Sequence, residues 1–194
     1  MNPWIGKTAF LLGLVVFVAI RVPHDKRSKE TKIAESRKGA LEAPLLVLMG
    51  IGGFVLPLVF ILSPFFSFAN YALRLLPLLG GIMCLGFSFW LFHRSHADLG
   101  TNWSNSLELR ENHRLVISGI YKSIRHPMYA AIFIYALAQT LLLPNWMAGP
   151  GCLVAFVLML VFRLPPEERM MLGKFGQPYQ DYMAKTKRLI PGIW

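Results

Sequence analysis

Five long apolar runs constrain the fold of this chain more than any other feature of its sequence. They extend over residues 5–20, 44–68, 75–92, 128–143 and 146–162. A helix of about 20 apolar residues can cross the hydrocarbon core of a bilayer. Apolar residues make up 55% of the 194 positions and charged residues only 15%. We therefore predict an all-α integral membrane protein with about five transmembrane helices. It forms a single membrane domain over 1–194, in which residues 1–93 supply three spans.

The last two runs are the closest together, and the sequence PNWMAGPG at residues 144–151 lies at their junction. Its proline, asparagine and glycine residues favour a turn, so we expect residues 128–162 to form a tight helical hairpin. Both runs are short for a full crossing, and a re-entrant hairpin remains an alternative. The sequence GIGG at 50–53 follows no predicted strand and indicates close helix packing rather than a dinucleotide site.

The basic residues predict the orientation in the membrane. Eighteen of the 20 Lys and Arg residues lie in residues 21–38, 94–127 and 163–194. Lys and Arg near membrane spans favour the cytoplasmic side, so the N-terminus is predicted outside and the C-terminus inside. The first run precedes its basic cluster, which favours a retained anchor over a cleaved signal peptide. A charge spread over three membrane-edge loops is not expected to bind nucleic acid.

The cysteines point to no metal chemistry. Cys84 and Cys152 lie within apolar runs, and their spacing matches neither a metal site nor a disulfide framework. Both are interpreted as packing residues, and no metal is expected.

The sequence IRHPMY at residues 124–129 lies at the start of the fourth apolar run. Because His126 precedes a proline, its backbone is biased away from the helical region, whereas Pro127 is favoured in a first helical turn. A helix is therefore predicted to begin at Pro127, with His126 as its cap. The partly positive start of such a helix can bind an anion. The alternative is an interfacial belt in which Lys122, Arg125 and Tyr129 only anchor the chain at headgroup depth.

A second polar patch follows the fifth run. Pro165 and Pro166 are predicted to end this span and to start a new helix, with Glu167 and Glu168 in its first turn. Arg163 then lies at the last turn of the span. An ionisable residue at a membrane boundary is a candidate functional group, but a snorkelling arginine and a solvated helix start remain alternatives.

The two patches together resemble a known family. The sequence LVISGIYKSIRHPMY, followed after one hairpin by EERMMLGKFGQPYQDYMAKTKRLIP, closely resembles the isoprenylcysteine carboxyl methyltransferase family. Phospholipid methyltransferases share much of this pattern. The resemblance covers about residues 95–194, which form the catalytic half of the domain (94–194).

The resemblance implies an enzyme that uses S-adenosyl-L-methionine, releases S-adenosyl-L-homocysteine, and binds the cofactor in a cytoplasmic pocket between the 94–127 connection and the C-terminal segment. The cofactor-binding residues that it implies are His113, Arg114, Leu115, Val116, Gly119, Tyr121, His126, Pro127, Met128, Tyr129 and Glu167. The implied catalytic residues are Arg163, at a position associated with the acceptor, together with Glu167 and Glu168. Ser106 occupies a position that is glutamine in some relatives.

The chemistry of these side chains suits those roles. Carboxylates can bind the ammonium or the hydroxyls of the cofactor, and aromatic faces can bind its cation. A carboxylate acceptor is already ionised at neutral pH and needs no general base, whereas an amine acceptor needs a base such as His126. We favour the carboxylate of an isoprenylated cysteine that enters a monomeric enzyme from the bilayer. The alternatives are a phospholipid amine N-methyltransferase, an NADPH-dependent enzyme like the sterol reductases, and a membrane scaffold without catalysis.

Overall fold

The fold was obtained as a computed structural model, which describes residues 1–30, 33–36, 39–100, 108–110 and 114–194. The predicted site residue His113 and the position Ser106 lie outside these residues. Seven α-helices occur in the described part: α1 (Pro3–Glu30), α2 (Glu42–Gly50), α3 (Leu56–Leu62), α4 (Leu75–Leu99), α5 (Pro127–Leu142), α6 (Gly151–Phe175) and α7 (Gln177–Lys185). A π-helical turn, Ile51–Val55, connects α2 to α3 without a break.

Three helical segments of the described chain are long and apolar enough to cross a membrane: Pro3–Arg27, Glu42–Leu62 and Leu75–Leu99. The fourth apolar helix, α5, is shorter than these. It begins at Pro127 with His126 as its cap, as the sequence predicts. The chain then turns through 143–150 into α6, which confirms the helical hairpin but moves the start of its second helix from residue 146 to Gly151.

The predicted break at Pro165 and Pro166 is wrong. Both prolines lie inside the continuous helix α6, which ends only at Phe175. Each proline removes one helical hydrogen bond and is normally disruptive inside a helix. Here the helix carries buried residues on both sides of the prolines, including Arg163, Leu164 and Glu168, so packing offsets that loss.

Other predicted boundaries also differ. α1 continues about ten residues beyond Ile20, so the helix includes the mostly polar residues that follow the apolar run. The second span ends at Leu62 instead of residue 68, where Ser63 adopts an extended conformation. The prediction of a purely helical chain misses one short antiparallel pair, β1 (Ile33–Ser36) and β2 (Glu108–Arg110), in which Ser36 lies opposite Glu108.

The core lies where α4 packs chiefly against α5, with α1 alongside. Phe17 stacks on Phe92 at 4.3 Å between ring centroids and lies 4.8 Å from Tyr135. On another side, Gly52 lies against the backbone of Gly151, because a Cβ atom there would come within 2.4 Å of the Gly151 carbonyl oxygen. This confirms the predicted close helix packing at Gly52. α6 is thereby fixed next to the π-helical turn that follows α2, and residues of α2, of this turn and of α6 contribute to the wall of a cavity.

Candidate active site

A cavity of about 430 Å³ lies between the helices and has a polar end and an apolar end. Its polar end is lined by residues from the segment before α5, from α5 itself and from α6 and α7. The residues that the sequence predicted and that line the cavity are Arg114, Leu115, Val116, Tyr121, His126, Met128, Tyr129, Arg163 and Glu167. The fold therefore brings both polar patches of the sequence to one site.

Glu167 is held at the cavity wall by the start of α5. The Tyr129 hydroxyl donates a hydrogen bond to its Oε2 at 2.5 Å, and His126 Nδ1 lies 3.8 Å from its Oε1. The rings of His126 and Tyr129 stack at 5.6 Å between centroids. The Glu167 side chain is 26% exposed, so it remains accessible while its orientation is fixed. This carboxylate can accept hydrogen bonds from, or pair with, a cationic ligand in the cavity.

Glu168, the next residue on α6, lies in a buried ion-pair cluster. Its Oε1 accepts hydrogen bonds from Arg125 at 3.0 and 3.1 Å, and its Oε2 accepts them from Arg188 at 2.7 and 3.0 Å. His126 Nε2 lies 3.3 Å from Oε1. Burial alone would raise the pKa of Glu168, but the hydrogen bonds from His126, Arg188 and Arg125 lower the pKa well below its usual range. Glu168 is therefore a fixed anion that joins three segments of the chain.

The C-terminal segment 186–194 is attached to the start of α5 by backbone bonds as well. The Arg125 amide donates to the Lys187 carbonyl at 2.8 Å, and the His126 amide donates to the Arg188 carbonyl at 3.0 Å. Arg125 also donates from its guanidinium to the carbonyls of Met183 and Thr186. These contacts fix the two residues that precede α5.

α7 adds two tyrosines to the cavity that the sequence analysis did not assign to the site. Tyr179 and Tyr182 both line it and are buried. Burial raises the pKa of Tyr182 to about 12. Its protonated hydroxyl donates a hydrogen bond of 2.6 Å to the carbonyl of Tyr121. The motif YQDY contained both residues, but their spacing alone did not show which face of α7 would meet the cavity.

Arg163 also lines the cavity and lies one turn before Glu167 on α6. Its side chain is 9% exposed, and its Nη2 lies 3.8 Å from Oε1 of Glu42 in the first turn of α2. Glu42 was not predicted as a site residue. The only signal that the sequence offered was an acidic residue at the start of an apolar run.

Two predicted cofactor residues have packing roles in this structure. Gly119 has φ +60°, and a Cβ atom there would overlap the carboxylate of Asp98. That carboxylate accepts a hydrogen bond of 2.8 Å from the Ile120 amide, which orients the turn leading to Tyr121. Pro127 is fully buried at the first position of α5. Both residues shape the wall from behind.

The apolar end of the cavity extends between α2, α5 and α6. The residues that line it include Leu46, Met49, Gly50, Gly53, Phe54, Ile132, Tyr135, Cys152 and Met159. A Cβ atom at Gly50 would meet nothing within 4 Å, and at Gly53 only the sulfur of Cys152. A bound molecule with one polar and one apolar end would match this arrangement.

The fold and the site define a helical integral membrane protein whose cavity joins a charged end to an apolar end. Residues 82–173 match the family described as the isoprenylcysteine carboxyl methyltransferase (ICMT) family. The resemblance inferred from the sequence is therefore confirmed over this region.

Curated relatives agree with the family match. The chain is 34% identical over 117 residues to protein-S-isoprenylcysteine O-methyltransferase of Schizosaccharomyces pombe, which is 58% of this chain and 48% of that protein. It is 30% identical over 115 residues to the Dictyostelium discoideum protein of the same name, again 58% of this chain and 48% of that protein. The chain spans about half the length of these relatives.

A solved structure supports the same fold. It is described as the eukaryotic intramembrane Ras methyltransferase ICMT, and it aligns with 78% of this chain and 52% of its own length. The TM-score is 0.52 and the sequence identity is 23%, so this likeness concerns the fold alone.

Replacing Glu168 by glutamine is expected to destabilise the protein. The change leaves Arg125 and Arg188 without their shared anion, and breaking a buried ion pair costs on the order of 3 kcal/mol. Because the pKa of Glu168 is lowered in the folded protein, its stabilisation is present above the ordinary value of 4.5 and is lost as the pH falls below it.

Thermal unfolding of purified protein at pH 7 and at pH 4 measures both effects. Glu168→Gln should lower the melting temperature at pH 7 and lose less stability than the wild type on acidification. Asp181→Asn, at an exposed carboxylate on α7, is the matched control and should behave like the wild type. Equal acid sensitivity in the Glu168→Gln variant would contradict the role of the cluster.

Proposed function

We propose that this protein is an S-adenosyl-L-methionine-dependent methyltransferase that methylates the carboxylate of an isoprenylated cysteine. The observation that carries the proposal is the continuous cavity, in which Glu167 and Arg163 line a polar end that opens into an apolar arm. A water-soluble methyl donor and a lipid-borne acceptor can meet only in a site that has both polar and apolar walls. The names of the curated relatives support this acceptor.

The side chains at the polar end fit the cofactor. S-adenosyl-L-methionine supplies a methyl group activated by a sulfonium cation and also carries an ammonium, a carboxylate and ribose hydroxyls. Glu167 would bind the ammonium or the hydroxyls, and Arg114 the carboxylate. The faces of Tyr121 and Tyr179 suit the adenine ring or the sulfonium. Leu115 and Val116 would complete the wall and exclude water.

The apolar end of the cavity fits the acceptor. An isoprenyl chain would lie between α2, α5 and α6, where the glycines at 50 and 53 leave room. Its cysteine carboxylate would then come next to Arg163, whose planar guanidinium matches a carboxylate through paired hydrogen bonds.

The residues act by positioning. A carboxylate acceptor is ionised at neutral pH, so no residue has to remove a proton from it. Arg163 would hold the acceptor from the membrane side, and Glu167, oriented by Tyr129 and His126, would hold the donor. Correct alignment of two reactants can contribute about 7–11 kcal/mol to the lowering of a barrier. Glu168 does not line the cavity, and we assign it the positioning of Arg125, His126 and Arg188.

We further propose five crossings, with the N-terminus outside and the site and C-terminus in the cytoplasm. The distribution of basic residues supports this orientation. A reporter that is active only in the cytoplasm, fused after Trp194, should be active. A reporter that is active only outside, fused at the same point, should be silent, and activity there would reverse the assignment.

Glu167→Ala is expected to weaken binding of the cofactor product. A charge-assisted hydrogen bond contributes about 1.5–3 kcal/mol, which corresponds to roughly a 10- to 100-fold increase in Kd. Calorimetric titration of detergent-solubilised protein with S-adenosyl-L-homocysteine measures this, with Asp181→Ala as the control that should bind normally.

Titration of the wild type with NADPH is the second arm of that experiment. Saturable binding of S-adenosyl-L-homocysteine alone is expected. Binding of NADPH alone would favour the reductase alternative and overturn the proposed function.

Arg163→Lys is expected to reduce methyl transfer to an isoprenylated cysteine analogue at least ten-fold while the Kd for S-adenosyl-L-homocysteine changes less than two-fold. Lysine keeps the charge but loses the planar fork that a carboxylate requires. A merely snorkelling side chain would tolerate lysine, so full activity would rule out acceptor binding by Arg163. Methyl transfer to phosphatidylethanolamine, measured with the wild type and the same variant, tests the alternative of a phospholipid amine N-methyltransferase.

A further inference from the structure

Glu42 lies outside both polar patches of the sequence and outside the region 82–173 that matches the family. It begins α2, and its side chain is only 6% exposed. A buried carboxylate is costly unless it is paired or hydrogen-bonded. Its position in the first helical turn stabilises its charge in part, because the start of a helix is partly positive.

Glu42 forms an ion pair with Arg163, the residue to which we assign the acceptor carboxylate. Oε1 of Glu42 lies 3.8 Å from Nη2 of Arg163, and both side chains are less than 10% exposed. A guanidinium in such an environment also needs an anion nearby. Each charge therefore stabilises the other in the absence of any ligand.

The packing below this pair fixes its geometry. Leu45, one turn after Glu42 on α2, forms a buried cluster with Phe156 and Met159 of α6. Met159 lies one turn before Arg163. The two helices therefore approach each other at matching turns, and a shift of α2 would move the carboxylate relative to the guanidinium.

Glu42 also lies beside the cavity. Leu46, one turn further along α2, lines the same cavity as Arg163. Nη2 of Arg163 faces the Glu42 carboxylate. The ion pair therefore favours the orientation in which this edge of the guanidinium points toward α2.

We propose that Glu42 is a positioning residue for methyl transfer: it holds the guanidinium of Arg163 in the orientation that receives the acceptor carboxylate. This inference rests on the proposed function. Loss of Glu42 would remove this ion pair, and the guanidinium of Arg163 could then turn toward other anions, such as Glu167. Acceptor alignment would then suffer, whereas the donor end, held by Tyr129 and His126, would not change.

A double-mutant cycle tests the proposal in the full-length solubilised protein. The variants are Glu42→Ala, Arg163→Ala and the pair, and Glu42→Gln keeps the shape and one oxygen acceptor. Glu42→Ala should lower kcat/KM for an isoprenylated cysteine analogue at least ten-fold, and Glu42→Gln should retain part of that activity. The Kd for S-adenosyl-L-homocysteine should stay within two-fold in all variants. In the Arg163→Ala background, removal of Glu42 should cause no further loss, because Glu42 acts through Arg163.

Each outcome has a distinct meaning. If the wild type is active and the losses of activity in Glu42→Ala and Arg163→Ala add up in the double variant, the positioning role is overturned and the proposed function stays intact. A wild type that binds the donor but methylates no isoprenylated cysteine would overturn the proposed function and, with it, the role of Glu42. If Glu42→Ala does not fold, judged by donor binding, Glu42→Gln replaces it in the cycle, and full activity in that variant would contradict the proposal. Asp181→Ala is the control for removal of a carboxylate.

Discussion

The anion of Glu168 is the interaction on which the rest of the site depends. It gathers the adjacent residues Arg125 and His126, which precede α5, and the distant Arg188 of the C-terminal segment around one carboxylate on α6. Without it, two guanidiniums would lie next to the partly positive start of α5, and their repulsion would weaken the attachment of the C-terminal segment to that helix. The cluster fixes His126, and His126 and Tyr129 in turn orient Glu167. A buried ion pair rarely adds much net stability, but here it determines which segments meet.

The continuity of α6 through Pro165 and Pro166 gives that helix three roles at once. Arg163 and Glu167 are four residues apart and lie on the same face, which is the face that lines the cavity. Glu168 is rotated by about 100° from Glu167 and therefore reaches the cluster instead. A new helix starting at Pro166 would have had no fixed phase relative to Arg163. The cation of Arg163 and the anion of Glu167 are thus one turn apart on a single continuous helix.

The sequence predicted those features of the fold that depend on neighbouring residues alone. The order His126–Pro127 located the start of α5, and the turn formers of 144–151 located the hairpin. It did not predict the continuous α6, because local rules treat two prolines as a break and cannot weigh the buried contacts on either side of them. It also missed Glu42, Tyr179 and Tyr182. Their roles depend on tertiary contacts between segments distant in sequence, for which spacing carries no signal. The placement of His113 lies outside the described residues and stays a prediction.

The division of the cavity follows from which half of the chain supplies each wall. The polar end is built mainly by residues after 113, within the part of the sequence that carries the two motifs. The apolar arm is built largely by α2 and the π-helical turn, where Gly52 seals the contact with α6 while Gly50 and Gly53 leave space. A π turn changes the rotational phase of a helix. Glycines on one short segment can therefore face both the contact with α6 and the cavity. Glu42 begins that same helix, which couples the depth of the apolar arm to the position of Arg163. Under the function we propose, the room for an acceptor's apolar chain and the placement of its carboxylate would both depend on this one segment.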